Sequence, residues 1–398
     1  ILEKLLGNEH PLVATSLNNL AVLYELQGNY TKAEPLYLRA LTIDEKFLGN
    51  EHPYVATSLN NLAGLYLAKG NYAKGEPLYL QSLAILEKVL GKEHPNVAAS
   101  LNNLALLYWS QGDITRTTDF LTRGVAVEEK NLHDIYAVGS EQRKQNYAQK
   151  FIGNTNFAIT LALEKSSKNP TLAKLALTTV LRRKGRVLDA MTDTVQTLRA
   201  QLADNPETKK LFDDWLDVQR RLANLIYQGQ GKQKFEIYRK QIKQLQAEKE
   251  KLEEQVSVRS AEFRKEITPV ELADIQTKIP ADAAMVEIIQ YYPINPKAKK
   301  PSEQYGKSRY AAVVLRNTGE PSWVDLGDAA TIDKSVANFR RVLAFAPATN
   351  KSNSKDDRGL DVTPVPGKRK AQLEELARNL DKQVMAPIRP LLGDARHI

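Results

Sequence analysis

The sequence predicts a mainly α-helical chain: a solenoid of paired helices, then a connecting helical region with a long helical hairpin, then the start of an α/β portion. Three observations carry this. Blocks of sequence return at a fixed step of 42 residues through the first third of the chain. Residues 232–266 are dense in Lys, Glu and Gln, with Leu245, Leu252 and Val256 spaced seven and four apart. Beyond Pro280 the apolar residues gather in short β-branched and aromatic runs separated by turn residues.

The repeat is read directly. Leu17-Asn-Asn-Leu-Ala21 returns at Leu59–Ala63 and Leu101–Ala105, and Glu9-His-Pro11 returns at Glu51–Pro53 and Glu93–Pro95. Tyr24, Tyr66 and Tyr108 keep the same step, as do Gly28, Gly70 and Gly112. Each unit reads as two helices. The first runs over 11–27: Pro11 suits a first turn, where its missing N–H is not needed, and Leu17, Leu20 and Tyr24 form an inward apolar stripe. Gly28 and Asn29 tolerate positive φ and stop it. The second runs over 31–48, with Ala33, Leu36, Tyr37, Ala40 and Leu41 on one face and small Ala33 and Ala40 allowing close helix approach.

These positions resemble tetratricopeptide repeats. The step of 42 and the Leu-Asn-Asn-Leu-Ala and Glu-His-Pro blocks resemble the kinesin-light-chain variety. The expected boundaries are a partial repeat at 1–6 and repeats at 7–48, 49–90 and 91–132. Ile1–Gly7 matches Ile85–Gly91, so the chain is expected to open inside a second helix, with more of the protein upstream. Thr118, Asp119 and Leu121 stand where the first repeat has Glu34, Pro35 and Tyr37, so the third repeat is expected to adapt to the neighbouring domain.

In such arrays first helices line a concave face. The stripe opposite Leu17, Leu20 and Tyr24 contains Asn18 and Glu25; its equivalents are Asn60 and Leu67, then Asn102 and Trp109. Amide side chains in a row can donate to and accept from an extended peptide backbone, and Trp109 adds apolar area. Asn18, Glu25, Asn60, Leu67, Asn102 and Trp109 are therefore the candidate peptide-binding residues. The alternative for the asparagines is that they bond neighbouring helices, the reading preferred for Asn19, Asn61 and Asn103. His10, His52 and His94 recur once per repeat in loops, too far apart to converge on one ion, so no metal site is expected.

Residues 133–267 read as connecting helices, with breaks at Pro170 and Pro206. Lys210–Tyr227 and Glu236–Phe263 are expected to form a solvated antiparallel hairpin. Residues 284–292, 309–316 and 322–326 read as strands. Helices are expected near 330–344 and 371–384, separated by a loop over 349–368 rich in Ser, Asp, Lys, Gly and Pro. Arg396–Ile398 reads as the start of a further strand.

Three blocks, Val180–Ala190, Val324-Asp-Leu-Gly327 and Ala386-Pro-Ile-Arg-Pro-Leu-Leu-Gly393, resemble the region after such repeats in proteins with a CHAT domain. This is a caspase-like fold of cysteine peptidases and inactive relatives. The resemblance makes 268–398 the entrance of that domain. It implies that the family's nucleophile and base lie beyond Ile398.

Composition bounds the function. The 398 residues are 42% hydrophobic and contain no cysteine. A cysteine nucleophile, a disulfide and a cysteine-ligated metal are thereby excluded within these residues. Gly306-Lys-Ser308 lacks the upstream glycine of a phosphate-binding loop. No cofactor is expected, and this chain is read as non-catalytic. No apolar run approaches the ~18 residues of a membrane span, nothing at the start reads as a signal peptide, and the location expected is cytoplasmic. The net charge of +9 is uneven: residues 1–132 hold 11 Lys/Arg and 14 Asp/Glu, the remainder 45 and 33. Nucleic-acid binding by the basic remainder is the alternative function. It is not favoured, because the basic residues are interspersed with acids and not with aromatics. The function expected is a protein–protein interaction scaffold, of unknown oligomeric state, forming the regulatory half of a CHAT-type peptidase-like protein.

Overall fold

The computed structural model describes residues 2–138, 140–184, 205–230, 233–261, 271–344 and 366–398. They divide into two compact units. The first comprises Ile1–Thr155, Thr178–Val270 and Pro296–Gln304; the second comprises Asn156–Leu177, Glu271–Asn295 and Tyr305–Ile398.

In the first unit a short helix α1 (Leu2–Leu6) precedes three helix pairs: α2 (Pro11–Leu26) with α3 (Tyr30–Leu48), α4 (Pro53–Ala68) with α5 (Tyr72–Leu90), and α6 (Pro95–Gln111) with α7 (Ile114–Val138). The starts arise from local chemistry. His10, His52 and His94 are the N-caps: each ring Nδ1 accepts the backbone N–H two residues on, from Leu12 at 3.2 Å, Tyr54 at 3.2 Å and Asn96 at 3.1 Å. One orphan donor of each helix is satisfied in this way, and proline at the first helical position needs no partner. The recurrence of histidine is thus a capping pattern. Gly28 and Gly70, at φ 73° and 71°, make the turn into the second helix.

Neighbouring repeats are locked by polar contacts that repeat with the same step. Glu34 of α3 accepts from the Tyr66 hydroxyl of α4 at 2.9 Å and pairs with Lys69. Glu76 of α5 accepts from Tyr108 of α6 at 2.9 Å and pairs with Arg116 at 3.0 Å. Within each repeat Lys46, Lys88 and Lys130 pair with Glu9, Glu51 and Glu93. Such exposed pairs are worth about 0–1 kcal/mol each, so they set register more than stability. Stability lies in the apolar layer, where Val55, Leu59, Ala63, Leu101, Leu104 and Leu107 are buried together.

One inward position differs among repeats. Leu62 and Leu104 are 2% and 0% exposed, but Leu20, at the equivalent place, is 40% exposed. Leu62 packs with Ala21, Ala33 and Tyr37 of the preceding helix pair, and the five-residue α1 gives Leu20 no comparable cover.

The connecting region continues with α8 (Glu141–Gln149), α9 (Ile152–Lys165) and α10 (Pro170–Arg183). Then α11 (Pro206–Gln228) and α12 (Phe235–Ala261) form a helical hairpin. Its core is Phe212, Trp215 and Val256, flanked by Leu211, Leu216 and Leu252. Phe263, residues 185–190 of the Val180–Ala190 block and most of the expected loop over 349–368 lie outside the described residues.

The second unit contains α13 (Leu272–Lys278) and an antiparallel sheet in the order β1 (Ala284–Tyr291), β2 (Arg309–Arg316), β3 (Ser322–Asp328). It also contains α14 (Ala329–Ala344), α15 (Pro366–Gln383) and α16 (Met385–Leu392). The central strand β2 is an unbroken apolar run because both its faces are covered. Ala312 and Val314 pack with Ile388 and Leu392 of α16. On the other face Val313 stands beside Trp323, whose indole N–H donates to the Ala173 carbonyl at 3.2 Å. Asn156 and Thr160 accept the backbone N–H groups of Tyr292 and Ile294 at 3.1 and 3.2 Å. Where the sequence suggested a further strand, His397 makes a single parallel bridge to Ala283. No helix among the described residues is long and apolar enough to cross a membrane.

Candidate binding cleft on the helical array

Three successive first helices and two second helices enclose a cleft of about 250 Å³. Val22, Glu25 and Leu26 come from α2; Asn60, Asn61 and Gly64 from α4; Asn103 from α6; Tyr37 and Tyr79 from α3 and α5. The helical period explains the set. Asn60 and Gly64 lie one turn apart on α4, and Val22 and Leu26 do so on α2, so each helix offers one stripe to the same hollow.

Its chemistry is that of a polar clamp with an apolar rim. The Tyr37 hydroxyl donates to Glu25 Oε2 at 2.8 Å. Burial raises the Glu25 carboxyl above the ordinary carboxylate value, against the lowering effect of the Tyr37 bond. The hydroxyls of Tyr37 and Tyr79 are likewise pushed up, first by burial and then by the Glu25 charge. Asn103 Nδ2 donates to Asn60 Oδ1 at 3.0 Å, which leaves the Asn60 amino group as a donor. Gly64 adds no side chain to the cleft, and a Cβ there would stand 3.4 Å from the Tyr79 hydroxyl, in van der Waals contact.

Of the six candidate residues, the structure brings Glu25 and Asn60 into the cleft and places the other four elsewhere. Asn18 donates to Ser58 Oγ at 2.7 Å, and Ser58 donates on to Asp44 at 2.8 Å, a chain between the first two repeats. Asn102 is 7% exposed and donates to Glu128 at 2.6 Å. Leu67 packs against the apolar core, and Trp109 is 4% exposed. The third repeat differs because α7 and the residues after it close over its first helix. Glu128 takes hydrogen bonds from Asn102 and from Asn154, and a Cβ at Gly124 would overlap the Asn102 amide. Asn61 and Asn103, read from sequence as structural, line the cleft together with Tyr37 and Tyr79. The only sequence signal for the tyrosines was their recurrence at the 42-residue step, with leucine at the third position.

The raised Glu25 carboxyl predicts a pH effect. Between the ordinary glutamate value, about 4.3, and the higher folded value, the native state holds a proton that the unfolded chain has lost. Stability from this group is therefore present at low pH and lost as pH rises through that window. Glu25→Gln, which can still accept from Tyr37, is expected to be more stable than the parent at pH 7 and indistinguishable from it near pH 4. Thermal midpoints measured across this range check it, and a lower midpoint for the variant at pH 7 would contradict it.

The family model described as tetratricopeptide repeat matches residues 1–46, 12–74 and 54–127. No curated protein matches the chain. Among solved structures, BtubC (BKLC) from P. vanneervenii is 27% identical, covering 46% of this chain and 66% of that one, with a TM-score of 0.35. Two structures of a Podosopora anserina protein with nearly identical TPR-like repeats, assigned as a kinesin light chain, are 21% identical. They cover 46% of this chain and 92% of theirs, with a TM-score of 0.29. With the family match and the helix pairs described above, residues 1–127 are an array of tetratricopeptide repeats.

Proposed function

We propose that the repeat array is a protein-interaction module whose cleft takes an extended segment of a partner protein. The observation that supports this most is the convergence of Glu25, Asn60, Asn61 and Asn103 from three helices onto one hollow. Amide side chains can satisfy both the donors and the acceptors of a peptide backbone. A desolvated carboxylate favours a ligand carrying a Lys, an Arg or an N-terminal ammonium. Val22 and Leu26, both exposed, supply apolar contact at the rim.

Phage-displayed peptides selected on the full chain would test this. The selected peptides are expected to carry a cation, and Asn60→Ala is expected to weaken them about tenfold, the loss of a hydrogen bond to a buried partner. Peptides whose affinity ignores Asn60→Ala and Glu25→Gln would overturn the reading.

The wider part of the proposal rests on sequence resemblance: the module belongs to the regulatory half of a CHAT-type peptidase-like protein and works in the cytosol. Peptidase assays on the protein with its flanking sequence, with and without the selected peptide, would test that part separately.

A further inference from the structure

Residues Pro296–Gln304 lie in sequence between β1 and β2, yet they belong to the compact unit of the repeats. Their ends are drawn together by a bridge between Ile294 and Tyr305 and by the Gly306 N–H donating to the Pro293 carbonyl at 2.8 Å. The segment reads Pro-Lys-Ala-Lys-Lys-Pro-Ser-Glu-Gln. It touches the array at both ends of the repeat run. At the third repeat, the Ser110 hydroxyl donates to the Pro296 carbonyl at 2.6 Å. At the first, the Lys300 stem crosses Gly28 so closely that a Cβ on Gly28 would meet its Cε at 3.3 Å. The matching turn glycines Gly70 and Gly112 have no such neighbour. Glu303 also acts on this turn: burial first, then the charges of Glu25 and Glu303, raise the Tyr30 hydroxyl. That hydroxyl is buried without a hydrogen-bond partner among the described residues.

Ser110 and Gly28 lie on the same edge of the solenoid, where the first helices end. The carbonyl end of a helix carries partial negative charge and favours cations. The second helices α3 and α5 supply Lys46 and Lys88 in their last turns, whereas α2, α4 and α6 have no basic residue there. Between its contacts at Pro296 and Lys300 the segment carries Lys297, Lys299 and Lys300.

We propose that the edge formed by the ends of the first helices is a docking strip for an extended, lysine-rich, proline-flanked peptide, and that residues 296–304 occupy it as a tethered ligand. A tether of this length holds its ligand at an effective concentration on the order of 1 mM. A free peptide of the same chemistry therefore binds only when it outcompetes the strap or when the strap is released. The strip is separate from the cleft, so this inference stands or falls apart from the proposed function.

The test uses a fluorescein-labelled synthetic peptide with the sequence of residues 294–306 and two forms of the full chain. One is the parent; in the other, residues 297–303 are replaced by a Gly/Ser linker of equal length. Anisotropy titrations are expected to show the linker form binding the peptide at least about tenfold more tightly than the parent. A peptide with its three lysines changed to glutamate is expected to lose that affinity. If the linker form does not fold, Lys299→Ser with Lys300→Ser gives the same comparison with a weakened strap. Equal binding by both forms, or equal binding of the charge-reversed peptide, overturns the proposal. Binding of the probe that is lost with Asn60→Ala would place it in the cleft and overturn the strip.

Discussion

Replacing Arg183 by Met is expected to destabilise the first unit by about 3–5 kcal/mol, the cost of leaving a buried charge without its partner. Arg183 sits at the end of α10 with its guanidinium fully engaged. It donates to Glu128 and Glu129 at 2.8 Å each, to the Phe151 carbonyl at 2.9 Å and to Thr155 Oγ1 at 2.8 Å. Glu128 is 2% exposed and also takes hydrogen bonds from Asn102 and Asn154. A planar fork satisfies four acceptors at fixed angles, which an ammonium cannot, so Arg183→Lys is expected to recover only part of the loss.

Acidity provides the diagnostic. Burial raises the Glu128 carboxyl even against Arg183 and the two amides. Between the ordinary and the raised value the folded state holds the extra proton, so stability falls as pH rises through that window. Without Arg183 the folded value climbs further. The deficit of Arg183→Met should therefore shrink on acidification and vanish in large part when Glu128→Gln is added. Denaturant titrations of the helical signal at pH 5 and pH 8 measure this. A deficit independent of pH would assign the role of Arg183 to packing instead.

Leu104→Ala is expected to cost about 2–5 kcal/mol, the range for emptying a close-packed apolar site. Leu20→Ala, at the same place in the repeat motif, is expected to cost under about 1 kcal/mol. The cost of truncation scales with the apolar surface that the side chain keeps from water, and Leu104 is fully buried while Leu20 is 40% exposed. The same titrations on both single variants check the pair. Equal costs would mean that the first repeat is covered in solution as fully as the third.

Much of the fold was legible in the sequence because its causes are local. Proline at a first turn, glycine where φ is positive and an apolar stripe of helical period act within a few residues, and helices were found within one residue of where these signals put them in the first repeat. β2 was readable for the same reason, since a strand covered on both faces must be apolar throughout. The cleft was only half legible. Glu25 and Asn60 were found because they face away from the apolar stripe. Asn102 and Trp109 face the same way on their own helix, yet both are buried, Asn102 against Gly124 and Glu128 of α7.

The repeat, its period and its helix boundaries were thus determined by the sequence alone, since each rests on the chain's preferences over one or two turns. Which of three equivalent asparagines lines the cleft, donates to a serine or donates to a buried glutamate was decided only by the tertiary structure. So was the placing of a lysine-rich segment from between two strands on the edge of the array. Burial and hydrogen-bond partnership are properties of the groups that pack against a residue, and for these residues that neighbour lies between 26 and 272 positions away along the chain.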